Sequence, residues 1–198
     1  MERIGVFGGS FNPLTQAHLM LAEHMLGKYT DRVLFLPVGD SYHKDKLVPA
    51  SHRVAMLKMA VDRNPRFVLS ELEINESGES KTFTSLCRLQ QEYPEDKLFF
   101  IMGSDQLEGI DRWFKVDNLL QEFLMIVIAR AEDDLDVLFA SSTWLEERRG
   151  SFIICNDHPR TNLSSSHIRC RIAEGLSIRY LTLQGIIDYI HLHSLYTT

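Results

Sequence analysis

Three short stretches hold the residue types and spacings that could do chemistry on a phosphate. The first is Gly8-Gly9-Ser10-Phe11-Asn12-Pro13, followed by Thr15 and His18 at the start of an apolar-periodic run. Two glycines let a backbone turn sharply and approach a ligand with no Cβ in the way. A helix that follows offers unpaired N–H groups and the positive end of its dipole, which together favour an anion. Pro13 can pre-set the chain as it enters that helix. His18 falls in the first turn, where an imidazole could point at the same anion or simply pack. The stretch is neither a Walker loop, since no Gly-Lys-Ser/Thr follows, nor a GxGxxG turn.

The second stretch, Ser164-Ser165-Ser166-His167-Ile168-Arg169, puts three hydroxyls at an expected helix start and a guanidinium one turn in. Serine there can cap the helix. The same N–H groups and hydroxyls with Arg169 could also bind a second phosphate. The third, PVGDSYHKDKLVPASHR, gathers Lys44, Lys46 and Arg53 into a polar loop after a buried strand. That cluster suits an anion or a solvated loop. Gly103-Ser104-Asp105 follows the run LFFIM directly, which places a carboxylate at a strand end.

Alternating strand and helix patterns must position these groups. Residues 3–7 form an apolar start, and residues 17–27 carry helical periodicity that stops at Gly27. Residues 32–38 and 98–102 are apolar throughout, as strands covered on both faces are. Further strands are expected at 67–72, 124–129 and 151–156, and further helices at 52–61, 84–93, 117–122, 165–174 and 182–193. Residues 131–150, acidic in their first part, fit helix or loop. The order implies an α/β fold: a Rossmann-like, doubly wound parallel sheet with helices on both faces. One domain over 1–198 is expected, with a C-terminal helical part from about 164. Ligands in such folds sit beyond the carboxyl ends of the strands, so the loops after residues 7, 38 and 102 should share one crevice.

At 198 residues, with 44% apolar and 24% charged side chains, the chain has enough material for a sizeable core. A net charge of −6 argues against a nucleic-acid surface, which carries a basic excess. MERIGVF lacks the basic and apolar regions of a signal peptide, and no stretch approaches a membrane span. Cys87, Cys155 and Cys170 show no paired spacing, so a reduced cytoplasmic protein is expected.

Taken together these stretches resemble the nicotinamide/nicotinate mononucleotide adenylyltransferases, of the nucleotidyltransferase α/β-phosphodiesterase superfamily. The resemblance spans nearly the whole chain. GGSFNP is similar to the family's first turn, and residues 163–169 to its ISSTxIR motif. PVGDSY with Lys44, Pro49-Ala50 and His52-Arg53 is similar to the segment after its second strand. Gly103-Ser104-Asp105, Arg112-Trp113 and SIRYL with Tyr189-Ile190 continue the family's order.

The resemblance implies transfer of the adenylyl group of ATP to a pyridine mononucleotide, with release of pyrophosphate, in NAD biosynthesis. It implies that His18 donates to the α-phosphate, and that Lys44 and Arg169 stabilise the triphosphate. Gly8, Gly9, Ser10 and Phe11 would approach ATP through their backbone, with Thr15 and Gly103 beside it. Ser165 and Ser166 would cap the helix under the phosphates, and Asp105 would accept from a ribose. Asn12, Lys44, Thr82, Phe83 and Thr84 would surround the mononucleotide with Arg130, while Trp113 stacks on its pyridine ring. Mg²⁺ would ride on the ATP phosphates, because the sequence shows no dedicated carboxylate cage.

The superfamily's HxGH is here Thr15-Gln16-Ala17-His18, which exchanges a possible cation for a hydroxyl. The choice between nicotinate and nicotinamide mononucleotide stays open, although backbone donors around 81–84 could favour the acid. Other readings are a sister adenylyltransferase with another acceptor, such as phosphopantetheine, and a non-catalytic nucleotide-binding protein on the same scaffold. Family members are often oligomers, so a homo-oligomer is possible.

Overall fold

A computed structural model describes residues 1–42, 46–75, 78, 80–129 and 133–197. The first half runs β1 (Arg3–Gly9), α1 (Gln16–Met25), β2 (Arg32–Pro37), α2 (Ala50–Val61), β3 (Phe67–Leu69), α3 (Thr82–Glu92) and β4 (Lys97–Gly103). The second half runs α4 (Val116–Glu122), β5 (Leu124–Ile128), α5 (Leu135–Ala140), α6 (Thr143–Glu147), β6 (Phe152–Cys155), α7 (Ser165–Ala173) and α8 (Gln184–Leu192).

The six strands form one parallel sheet in the order β3-β2-β1-β4-β5-β6. Side chains alternate across it, and both faces are covered. Along β2, Leu34 and Leu36 join a core with Leu86 and Leu89 of α3, Leu119 of α4 and Phe139 of α5. Val33 and Phe35 turn the other way, onto Met25 of α1, Met56 and Leu57 of α2, Ile168 of α7 and Ile187 of α8. Two buried faces explain why the strands read as continuous apolar runs. β1 lies between β2 and β4, so the connections on its two sides leave in opposite directions. That opens a crevice beyond the carboxyl ends of the strands.

Local departures from the sequence pattern have physical causes. β3 pairs with β2 over three residues only, and the chain then turns through 71–75. In the region 131–150, the described residues hold two short helices. Asp134 caps α5 by accepting from the Asp136 and Val137 N–H groups, and Ser142 caps α6 by accepting from Leu145.

Arg53 is the largest correction. Far from a solvated loop cation, it is fully buried in the first turn of α2. Its guanidinium donates to the carbonyls of Val48, Ser10 and Val38 and to the Asp40 carboxylate. Burial lowers its pKa from the ordinary value and Asp40 opposes the shift. The side chain is a clip joining the first turn to the loop after β2.

Candidate active site

Beyond the strand ends lies a cleft of about 1280 Å³. One wall is the turn after β1, with His18 from α1 and the start of α7; the other carries Gly103, Asp105, Trp113 and Thr82.

The first turn is built differently from its sequence signal. Gly8 and Gly9 still belong to β1, and neither has a positive φ. A Cβ on Gly8 would come within 3.0 Å of the Phe100 ring, and one on Gly9 within 3.2 Å of the Phe11 ring. Those glycines therefore make room for two aromatic rings as well as for a ligand. The left-handed position belongs to Phe11, at φ 44°. A bulky residue there costs of order 1–3 kcal/mol and persists only when its surroundings hold it. Here the ring is buried edge-on against Phe35, 5.6 Å between centroids, and against His18, 5.3 Å. The next peptide bond, Asn12–Pro13, is cis.

Thr15 is the N-cap of α1 and is completely buried. Its hydroxyl accepts from the His18 N–H at 3.3 Å and lies 2.8 Å from His18 Nδ1. Its own N–H donates to the same Nδ1 at 3.0 Å. A nitrogen that receives a backbone N–H is an acceptor, so the proton of the neutral ring sits on Nε2. The ring lines the cleft as a hydrogen-bond donor of fixed tautomer. Further along the chain, Gln16 N–H donates to the Leu181 carbonyl and Thr182 Oγ1 donates to the Leu14 carbonyl. The SIRYL segment thus clamps the entrance to α1.

α7 brings its first turn to the same place. Ser164 is the cap, accepting from the His167 N–H at 3.2 Å. The expectation that Ser165 and Ser166 cap the helix is corrected: Ser165 Oγ donates to the Pro13 carbonyl at 2.8 Å, and Ser166 Oγ accepts from Arg169 at 3.0 Å. The other Arg169 amino group donates to the Asn12 carbonyl at 2.7 Å. Asn12 itself is buried; its amide donates to the Lys46 carbonyl, and its Oδ1 accepts from the Tyr196 hydroxyl at 2.9 Å.

Across the cleft, Trp113 is half-buried and meets Phe100 edge-on at 6.2 Å, and both rings line the space. Gly39 passes so close to Glu73 that a Cβ would lie 2.4 Å from the Glu73 carbonyl oxygen. Glu73 is buried and accepts from Ser85 Oγ of α3 at 2.6 Å. Burial pushes its carboxyl up from the ordinary value, against the effect of the serine. Thr82 opens α3, whose N-cap, Lys81, makes no side-chain capping bond. That helix terminus faces the cleft beside the aromatic pair.

The cytidylyltransferase-like family model matches residues 6–171. A probable nicotinate-nucleotide adenylyltransferase of Thermomicrobium roseum is 36% identical over 203 residues, covering 100% of this chain and 93% of that protein. A Synechococcus protein of the same description is 38% identical over 200 residues, with 98% and 95% covered. The chain belongs to the nicotinate-nucleotide adenylyltransferase family. The fold agrees: Plasmodium falciparum nicotinic acid mononucleotide adenylyltransferase, complexed with NaAD, superposes with a TM-score of 0.80. That match covers 99% of this chain and 98% of the other at 22% identity.

Within this nucleotidyltransferase, the cleft brings together Gly8, Gly9, Ser10, Phe11, His18, Ser165, Ser166 and Arg169. It also holds Gly103, Asp105, Thr82 and Trp113. Asn12 and Thr15 sit behind the wall as supports. Phe83 packs into the core under Lys115, and Thr84 is exposed on α3 outside the cleft. Lys44 and Arg130 lie outside the described residues. Sequence reasoning passed over Glu73 and His158, which also line the cleft. His158 Nε2 lies 2.7 Å from the Ala129 carbonyl, joining the ends of β5 and β6. The His158-Pro159 pair, three residues past the end of β6, was the available signal.

Proposed function

We propose that the protein joins ATP and nicotinate mononucleotide into deamido-NAD, with release of pyrophosphate. The observation that carries this reading is the fixed His18 tautomer, which presents an N–H donor in the cleft that Arg169 and the start of α7 also line. The phosphate oxygen of the mononucleotide attacks the ATP α-phosphorus; the new P–O bond forms as the bond to the β-phosphate oxygen breaks. The attacking group is already an anion, so no general base is needed. Catalysis then rests on positioning and on donors aimed at developing charge. His18 Nε2–H serves the α-phosphate and Arg169 the triphosphate, with Lys44 assigned there on the family pattern. Asp105, exposed beyond β4, accepts from a ribose hydroxyl.

The pyridine ring stacks on Trp113. Its carboxylate is favoured over an amide by the N-terminus of α3, whose dipole and N–H groups suit an anion. The relatives' names point to the same acid. Among the described residues the carboxylates lining the cleft are Glu73, bonded to Ser85, and Asp105, while the polar side chains of the opposite wall include His18, Ser165, Ser166 and Arg169. That donor set fits Mg²⁺ arriving as MgATP and held by phosphates and water, where it neutralises charge. Among the described residues no helix is long and apolar enough to cross a membrane. We place the enzyme in the cytoplasm.

Pyrophosphate release from MgATP, run with nicotinate and nicotinamide mononucleotides side by side, tests the reading. A kcat/KM at least about tenfold higher with nicotinate is expected. Equal values would overturn the acid preference, and release with neither would overturn the reaction. Trp113→Ala should raise KM for the mononucleotide about tenfold and leave KM for ATP nearly unchanged; equal effects would remove the stacking role.

A further inference from the structure

Where β6 ends, three ligand-type side chains converge from separate parts of the chain. His24 comes from the last turn of α1, Cys155 ends β6, and Asp157 lies in the turn after it. Their donor atoms all fall within 4.8 Å of one another. His24 Nε2 is 3.1 Å from Asp157 Oδ1, and Cys155 Sγ is 3.7 Å from the same oxygen. Nitrogen, oxygen and sulfur ligands on one tetrahedral zinc ion sit roughly 3.3–3.6 Å apart, given bond lengths of about 2.0–2.3 Å. The two sides that meet at Asp157 Oδ1 match that spacing to within a few tenths of an ångström, and the third is no longer than 4.8 Å.

We propose that His24, Cys155 and Asp157 form a site for a borderline-soft divalent cation of the Zn²⁺ class, with water as fourth ligand. The proposal stands apart from the adenylyl-transfer reading, because none of the three residues lines the cleft. Imidazole, thiolate and one carboxylate oxygen select Zn²⁺ over Mg²⁺ or Ca²⁺, which prefer all-oxygen shells. Cys155 is buried and gives the site a fixed inner wall, while the Asp157 side chain, 41% exposed, leaves an entry path. Tyr29 donates to Asp157 Oδ1 at 2.9 Å and steadies the carboxylate. On binding, the Cys155 thiol proton passes to solvent and the sulfur–metal bond forms; no oxidant or reductant takes part.

Asp157 already carries one cationic partner. The Lys28 ammonium is ion-paired with the other carboxylate oxygen of Asp157. Its side chain is 59% exposed, so it can swing into water as a dication enters. Lysine is thereby a built-in competitor, and metal binding is an exchange of one cation for another. The site also borders the active centre: Asp157 is followed directly by His158 and Pro159, both of which line the cleft.

Cobalt(II) is the probe, added to the purified full chain and followed by absorption. A thiolate-to-cobalt charge-transfer band with tetrahedral d–d bands, saturating at one equivalent and displaced by Zn²⁺, is expected. Cys155→Ser should abolish the band, and His24→Gln should weaken cobalt binding by about tenfold or more. Lys28→Met should tighten it. A band that survives in Cys155→Ser would place the metal on another cysteine and overturn the site. So would a wild-type chain that shows no band, or a Lys28→Met chain that binds no tighter. Because Cys155 is buried, circular dichroism of each variant checks folding, and the partly exposed His24 supplies the independent variant.

Discussion

The N-termini of α1 and α7 meet over one turn of chain, and each is capped by a hydroxyl that accepts the N–H three residues on. At α1 the cap and the proposed catalytic side chain are bonded directly to each other. Thr15 is buried, and both its N–H and its hydroxyl are spent on His18. At α7 the roles are divided among neighbours. Ser164 caps, Ser165 anchors to Pro13, and Arg169 bridges Asn12 and Ser166 at a half-buried position. In the proposed reaction, a single donor of fixed direction suits the phosphorus under attack. A guanidinium with several partners suits a triphosphate whose outer groups must leave.

Four substitutions test that contrast. His18→Ala removes the fixed donor and should lower kcat by about 10²–10³-fold with the fold intact; near-normal kcat in the purified variant would break the comparison on the α1 side. Arg169→Lys keeps the charge but loses the two-armed bridge, so KM for ATP should rise about tenfold. If KM for ATP were unchanged, α7 would be scaffold only. Thr15→Val deletes the hydroxyl that accepts from His18 N–H and contacts Nδ1. It should reduce kcat several-fold and stability by about 1 kcal/mol, and Thr15→Ser should restore both. Loss of stability alone would separate the cap from the chemistry. Ser164→Ala has the smallest expected effect, a drop in Tm of about 2–4 °C for a cap worth about 1 kcal/mol. Its kcat should fall less than that of Thr15→Val, since cap and functional groups are separate at α7.

The strands and the crevice were legible because two-sided burial writes continuous apolar runs into the sequence. The loop-borne roles were less legible. Arg53 looks like Lys46 in a linear reading, and only the convergence of the Val48, Ser10 and Val38 carbonyls turns it into a buried clip. Ser164 and Ser165 are equally good caps by type; the reach of Ser165 to Pro13, 152 positions away, decides between them. Phe11 carries the left-handed turn that two adjacent glycines advertise, because its ring has a buried socket and theirs must stay empty. Thr15 and His18 were paired by spacing alone, yet which imidazole nitrogen holds the proton depended on a backbone N–H that spacing does not reveal.

The Tyr196 hydroxyl on Asn12 joins positions 184 apart in the chain, and the Leu14–Thr182 bond spans nearly as far. During synthesis, the turn that holds Asn12 and Leu14 emerges well before either partner. It then waits without its braces until Thr182 and Tyr196 have followed it out of the ribosome. Contacts of such long reach are slow to close and come late. All six strands, the last ending at Cys155, precede both braces in the chain. The shape of that turn is therefore a product of the assembled fold and not of its own sequence neighbourhood.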